Sequence, residues 1–198
     1  CSSDLDPETG LVLVGTGNGE PYSMEIRSPS GGSNLFVSSI VAIDPKTGRM
    51  KWHYQESPAD QWDYDATAPM ILTRLKVDGA ERPVILHAPK NGFLYVIDRR
   101  DGKLLRANKI VRVNWAKRID PKTGIPEMDR EAADFSRSPK IIFPGTPGAR
   151  NWHPASYDPS TGLYIAAIQD MGNLMFVPPG EKPYKPKGLN TAAALIFT

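Results

Sequence analysis

The pentapeptide Asp-Pro-x-Thr-Gly occurs four times in this chain of 198 residues, opening at Asp6, Asp44, Asp120 and Asp158. Proline fixes φ at the first corner, the aspartate side chain bonds back to the amides that follow, and glycine takes the positive φ that closes a tight hairpin. Each copy predicts a turn between antiparallel strands. The copies are separated by 38, 76 and 38 residues, a regularity expected of repeated sheet units. β-rich segments lie around them at 11–15, 36–43, 50–54, 84–88, 94–97 and 163–168. With 17 Gly and 19 Pro the chain is ill suited to long helices, so the predicted fold class is all-β.

A finer repeat points to how the sheets associate. Ala42, Asp44, Gly48 and Trp52 align with Val96, Asp98, Gly102 and Arg106, 54 residues later. The pattern is Ala-x-Asp-x-x-x-Gly-x-x-x-Trp, degraded in the second copy. One Trp after a turn is ordinary core packing, but recurrence of the whole pattern favours a β-propeller in which the indole packs between neighbouring sheets.

Composition excludes several classes. A net charge of +2 gives no footprint for a nucleic acid partner. The apolar stretches 11–14 and 192–197 fall far short of the roughly 18 residues that span a bilayer, so the chain is not expected to be transmembrane. Cys1 is the only cysteine, which rules out a disulfide within these residues, a thiolate zinc cluster and a CxxCH haem attachment; no haem is expected in this chain. The chain opens in a strand–turn pattern and stops in the apolar run 192–197, so residues 1–198 are expected to be one partial domain of a longer protein. Residues 28–34 read as a flexible excursion and 119–148 as a long polar, proline-studded insertion rather than a second core.

The densest acidic constellation is Asp60-Gln61-Trp62-Asp63-Tyr64-Asp65. On an extended strand Asp63 and Asp65 project from one face, where they repel unless a cation sits between them or one is protonated. Spacing alone supports a surface loop and a metal site equally. Gly15-Thr16-Gly17-Asn18 lacks the spacing and lysine of a phosphate loop. It reads either as a hairpin turn or as a strand end where glycines let the backbone approach a ligand and Asn18 offers a carbonyl oxygen to a hard cation. Lys90, in Ala88-Pro89-Lys90-Asn91-Gly92, has apolar flanks unusual for a solvated turn. His53, His87 and His153 form no HExxH pairing and are expected to be satisfied structural residues.

Taken together and in order, the motifs at 15–18, 42–52, 60–65, 88–92 and Asn-Trp-His-Pro at 151–154 resemble the pyrroloquinoline quinone (PQQ) dependent alcohol dehydrogenases, and most nearly the ethanol and quinohaemoprotein branch. The likeness runs from about Asp6 to about Asn190 and implies the central portion of an eight-bladed propeller. It implies oxidation of a primary alcohol by hydride transfer to PQQ, with a metal ion as Lewis acid. Asn18, Asp63 and Asp65 would be metal ligands, Asp63 the general base, and Lys90, Asn151 and Trp152 cofactor contacts.

Asp65 resembles the additional carboxylate of lanthanide-dependent members, so either a lanthanide or Ca2+ is expected. The family's upstream glutamate ligand, tryptophan platform and adjacent-cysteine disulfide have no counterparts in this chain. The resemblance further implies a periplasmic location and a cytochrome c-type electron acceptor; it leaves the alcohol and the oligomeric state open. A non-catalytic propeller scaffold with the same docking repeats is the competing reading.

Overall fold

The computed structural model describes residues 3–180 and 190–197. The first sheet is built from β1 (Ser3–Asp6), β2 (Leu11–Gly15), β3 (Ser39–Ile43) and β4 (Met50–Gln55), with the one-turn helix α1 (Met24–Arg27) between β2 and β3. The second contains β5 (Ile71–Val77), β6 (Ala80–His87), β7 (Phe93–Asp98) and β8 (Leu104–Lys109). Both are four-stranded antiparallel meanders in sequence order, the repeating unit of a propeller. The remainder comprises β9 (Ala116–Ile119), β10 (Pro126–Met128), α2 (Arg130–Ala133), β11 (Lys140–Ile142), β12 (Ala155–Asp158), β13 (Leu163–Ala166), β14 (Asn173–Phe176) and β15 (Ala194–Phe197). Here β9–β10 and β12–β13 are hairpins, and β14 lies between β11 and β15.

All four Asp-Pro-x-Thr-Gly copies close hairpins, and the mechanism is the one their chemistry dictates. In each, the glycine N–H donates to the aspartate carbonyl at 2.8 Å, and the aspartate Oδ1 accepts from the amide two residues on at 2.7–3.0 Å. Their even spacing is not the sheet period, however. The copies at Asp6 and Asp158 join the first and second strands of their pairs, the one at Asp44 joins β3 to β4, and the one at Asp120 joins the small β9–β10 hairpin. The sheet repeat is the 54-residue one, which matches β3–β4 to β7–β8.

Trp52 supplies the expected docking. Its Nε1–H donates to the Arg99 carbonyl in the β7–β8 turn at 3.2 Å, and its ring covers Gly102 so closely that a Cβ there would lie 2.5 Å from the indole. An ionic latch joins the same two sheets: Arg99 reaches Asp6 at 3.1 Å and Glu8 at 2.6 Å, and Arg74 also meets Glu8.

The insertion contributes more to the core than its polarity suggested. Ala133, Phe135 and Ile142 are fully buried and pack in the same cluster as Leu13, Ile40 and Ile97. Trp115, just before it, donates its Nε1–H to the Asn91 carbonyl at 2.8 Å, and Tyr54 donates to the Gly124 carbonyl at 2.8 Å. The 28–34 excursion is likewise tied down, with Arg27 and Ser28 bonded to the Asn34 side chain at 3.1 and 2.7 Å.

Candidate functional site

Between β4 and β5 the chain runs as an irregular extended segment, 56–70, whose burial alternates. Asp60, Trp62, Tyr64, Ala66, Ala68 and Met70 face the core, while Asp63 and Asp65 are half-buried and face the other way. The shared face was anticipated; the regular strand was not formed, and Asp63 takes the left-handed backbone conformation with φ +65°. Side-chain anchors impose this course. The Trp62 Nε1–H donates to the Ala133 carbonyl at 2.9 Å, and the Tyr64 hydroxyl donates to the Pro144 carbonyl. Ala66 N–H donates to the Thr16 carbonyl at 3.0 Å, which lays the segment across the end of β2. There Gly15 is required by chain against chain: a Cβ would lie 1.9 Å from the Ala66 oxygen. The glycine expected to admit a ligand thus admits the acidic segment itself.

Four of the expected residues are brought together by this packing. The Lys90 ammonium, carried by the β6–β7 link, lies 3.0 Å from Asp63 Oδ2 and 2.6 Å from Asp65 Oδ2. Asp65 Oδ1 accepts from the Asn18 backbone N–H at 2.9 Å. Burial opposes the ammonium charge, but the bonds and charges of Asp65 and Asp63 outweigh it and hold the Lys90 pKa above its ordinary value. Burial pushes Asp63 above the usual carboxylate range; Lys90 opposes the rise, and Asp65 and Glu20 add to it. Tyr22, which sequence reasoning missed, has its hydroxyl pKa raised by burial and then by Asp63, Glu20, Asp60 and Asp65. No local motif marked it, because its carboxylate neighbours lie up to 43 residues away in the sequence.

The loop 145–151 backs Lys90. Ala149 N–H donates to the Lys90 carbonyl at 2.9 Å, and a Cβ on Gly148 would lie 2.4 Å from the Lys90 side chain. Asn151 follows on this loop, its amide donating to the Pro147 carbonyl at 3.1 Å. Trp152 stands apart on the surface, 74% exposed and stacked on His153. Arg150, also unforeseen, is buried and clasps the region, donating to the carbonyls of Ala88 at 3.0 Å and His153 at 2.8 Å. Of the three histidines only His87 fits the expectation of a satisfied structural residue: it lies 2.7 Å from Glu56 Oε1 and 3.0 Å from the Ala68 carbonyl. His53 and His153 are exposed. A cavity of about 450 Å3 lies against Trp62, between residues 24–32 and 128–140; neither Asp63 nor Lys90 lines it.

The arrangement suits a hard cation. Two carboxylates converge on one positive charge, that of Lys90, and the donors in reach are oxygens. Among the described residues no group of three His, Cys, Asp or Glu side chains converges; the acid pair faces the Lys90 ammonium. Lys90, held over the pair, is placed to meet an anionic or carbonyl oxygen at the same locus.

Antiparallel four-stranded sheets docked through a tryptophan are the build of a β-propeller. Residues 2–123 match the family described as PQQ: glucose/ethanol/alcohol dehydrogenase, beta-propeller domain, and the chain belongs to that family. It is 50% identical over 199 residues to the quinohemoprotein alcohol dehydrogenase of Comamonas testosteroni, covering 96% of this chain and 28% of that protein. The crystal structure of that enzyme superposes with a TM-score of 0.92 at 45% identity, over 98% of this chain and 30% of that one. The 1-butanol dehydrogenase (cytochrome c) of Thauera butanivorans is 49% identical over 76% of this chain and 22% of its own length. A europium-containing methanol dehydrogenase superposes with a TM-score of 0.89 at 32% identity, over 99% of this chain and 34% of that structure. The chain therefore spans between a fifth and about a third of the relatives it matches.

Proposed function

We propose that this chain is the central portion of a periplasmic PQQ-dependent alcohol dehydrogenase that oxidises a primary alcohol to the aldehyde and passes electrons to a cytochrome c-type acceptor. The observation that carries the reading is the Lys90 ammonium held between Asp63 and Asp65. A quinone bound beside Lys90 would supply the hydride acceptor for the alcohol carbon, and a metal beside Asp63 and Asp65 would supply a Lewis acid.

The chain's own residues do the rest. Asp63 Oδ2 receives the proton of the alcohol hydroxyl as general base. Lys90 points an ammonium donor at the oxygens on which negative charge grows, a preorganised contact worth most where water is excluded. Asp63, Asp65 and the Asn18 side chain would supply oxygen ligands to the metal, and Asn151, with Trp152 exposed beside it in this chain, would border the cofactor.

Asp65 sets the metal preference. Attraction to a carboxylate scales with the ion's charge while the repulsion among carboxylates does not, so a second aspartate favours a trivalent lanthanide over Ca2+. The likeness to a europium-containing methanol dehydrogenase supports this reading. The test uses the full-length protein carrying this sequence, stripped of metal and reconstituted with PQQ plus either lanthanum or calcium, with alcohol-dependent dye reduction as readout. The expected result is strong activity with lanthanum, weak activity with calcium, and selective loss of the lanthanum activity in Asp65→Ala. Equal lanthanum response in wild type and Asp65→Ala removes Asp65 from the metal site; no activity with either ion favours a non-catalytic scaffold.

A further inference from the structure

Asp60 is fully buried, three residues before the candidate base, and makes no salt bridge among the described residues. Its carboxylate is engaged instead by two backbone amides. Oδ1 accepts from Trp62 N–H at 3.1 Å and from Tyr64 N–H at 3.2 Å, and Oδ2 accepts from Tyr64 N–H at 3.2 Å. These are the amides on either side of Asp63. The residue they bracket holds φ +65°, left-handed backbone that is uncommon for a residue other than glycine and that aspartate tolerates better than most.

The rest of the loop is pinned from outside. Arg27 Nη2 donates to the Asp60 carbonyl at 2.5 Å, and Gln61 Oε1 accepts from the Met24 amide and the Ser136 hydroxyl, both at 3.2 Å. With Trp62 and Tyr64 anchored in the core, the left-handed turn at Asp63 throws its carboxylate to the opposite side, onto Lys90 at 3.0 Å.

We propose that Asp60 is a positioning residue: by holding the two amides that flank Asp63, its carboxylate fixes the direction in which the Asp63 carboxylate points. Without an acceptor there, two buried N–H groups lose their partner, and the turn relaxes to recover one. Asp63 then swings away from Lys90 and from the position its role requires.

The activity arm of the test rests on the function proposed above; the metal-binding arm is read separately. In the full-length protein, Asp60→Ala, Asp60→Asn and Asp63→Asn are compared with wild type for kcat, KM and Tm after reconstitution, and for affinity toward terbium alone by luminescence. A misplaced base costs about 100-fold, so Asp60→Ala should lose kcat on that order with KM little changed. Asp60→Asn keeps an Oδ1 that reaches both amides and should recover most of the loss. Terbium affinity should fall about tenfold in Asp60→Ala and hold in Asp60→Asn, because Asp63 is a proposed ligand.

Loss of Tm in Asp60→Ala with kcat and terbium affinity unchanged overturns the proposal, as does an Asp60→Asn variant as impaired as Asp60→Ala. Should Asp60→Ala not fold, Asp60→Ser offers one shorter acceptor: an intermediate kcat and affinity support the proposal, and wild-type values overturn it. Full activity in Asp63→Asn sinks the functional reading instead, and the terbium comparison still decides whether Asp60 orients Asp63.

Discussion

Gly15 and Ala66 face each other across one close approach. The absent Cβ at Gly15 lets the Ala66 carbonyl lie against β2, and that contact lays the acidic segment along the strand end from which Asn18 reaches Asp65. Gly15→Ala places a methyl 1.9 Å from the Ala66 oxygen, so the segment must shift. Overpacking of this kind costs about 1–3 kcal/mol, to be read as a lower urea midpoint, and the displaced Asp63 and Asp65 should weaken terbium binding. An unchanged midpoint and affinity would show that the approach is dispensable. At this scale Asn18, Asp63, Asp65 and Lys90 stand out in the sequence through the order of short motifs that resemble the quinoprotein family, and the structure brings the four together. Asp60, Tyr22 and Arg150 were not legible as site residues. Asp60 acts through backbone amides, Tyr22 through carboxylates distant in the chain, and Arg150 by clasping carbonyls at Ala88 and His153.

The contact between the two sheets is carried by Trp52 against the β7–β8 turn. Trp52→Phe keeps most of the apolar area but loses the bond to the Arg99 carbonyl, which should cost about 1 kcal/mol. Trp52→Ala opens a cavity over Gly102 and should cost about 3–5 kcal/mol, measured as a fall in urea midpoint. Near-equal midpoints for the three proteins would contradict the docking role. Hairpin turns were readable because Asp, Pro and Gly act within five residues. Strands β5, β8, β9–β12 and β14 carry no such signal: Arg74 and Lys76 in β5 and Arg106 and Lys109 in β8 interrupt the apolar pattern, and β9–β12 and β14 are three or four residues each. The insertion is polar by composition, and Phe135 and Ile142 find their partners only in tertiary structure.

Over the whole molecule, buried and turn carboxylates give opposite pH dependences. Asp44, Asp120 and Asp158 are held below the usual carboxylate range, Asp44 and Asp120 chiefly by the amide bonds of Lys46 and Lys122, and Asp158 chiefly by its bond to the Ser160 hydroxyl. Their contribution is present above the unfolded value near 3.9 and is lost as pH falls through the lower folded values. Burial pushes Asp60 up to about 7 and Glu56 in the same direction. A raised carboxyl stabilises the fold below its unfolded pKa, and that contribution is lost as pH rises through about 7. The urea midpoint should therefore pass through a maximum in mildly acidic solution, and Asp60→Asn should flatten its alkaline side. A midpoint rising steadily to pH 8 in wild type would contradict the assignment.

Membership of the quinoprotein propeller family accounts for the sheets and their docking. The central claim concerns chemistry, that Asp63 is the base of an alcohol oxidation whose proton it receives beside Lys90. The most direct measurement is alcohol-dependent dye reduction by full-length Asp63→Asn, reconstituted with PQQ and lanthanum and verified to carry both in wild-type amounts. The account predicts that turnover falls to background although cofactor and metal are bound; turnover near the wild-type rate would contradict it.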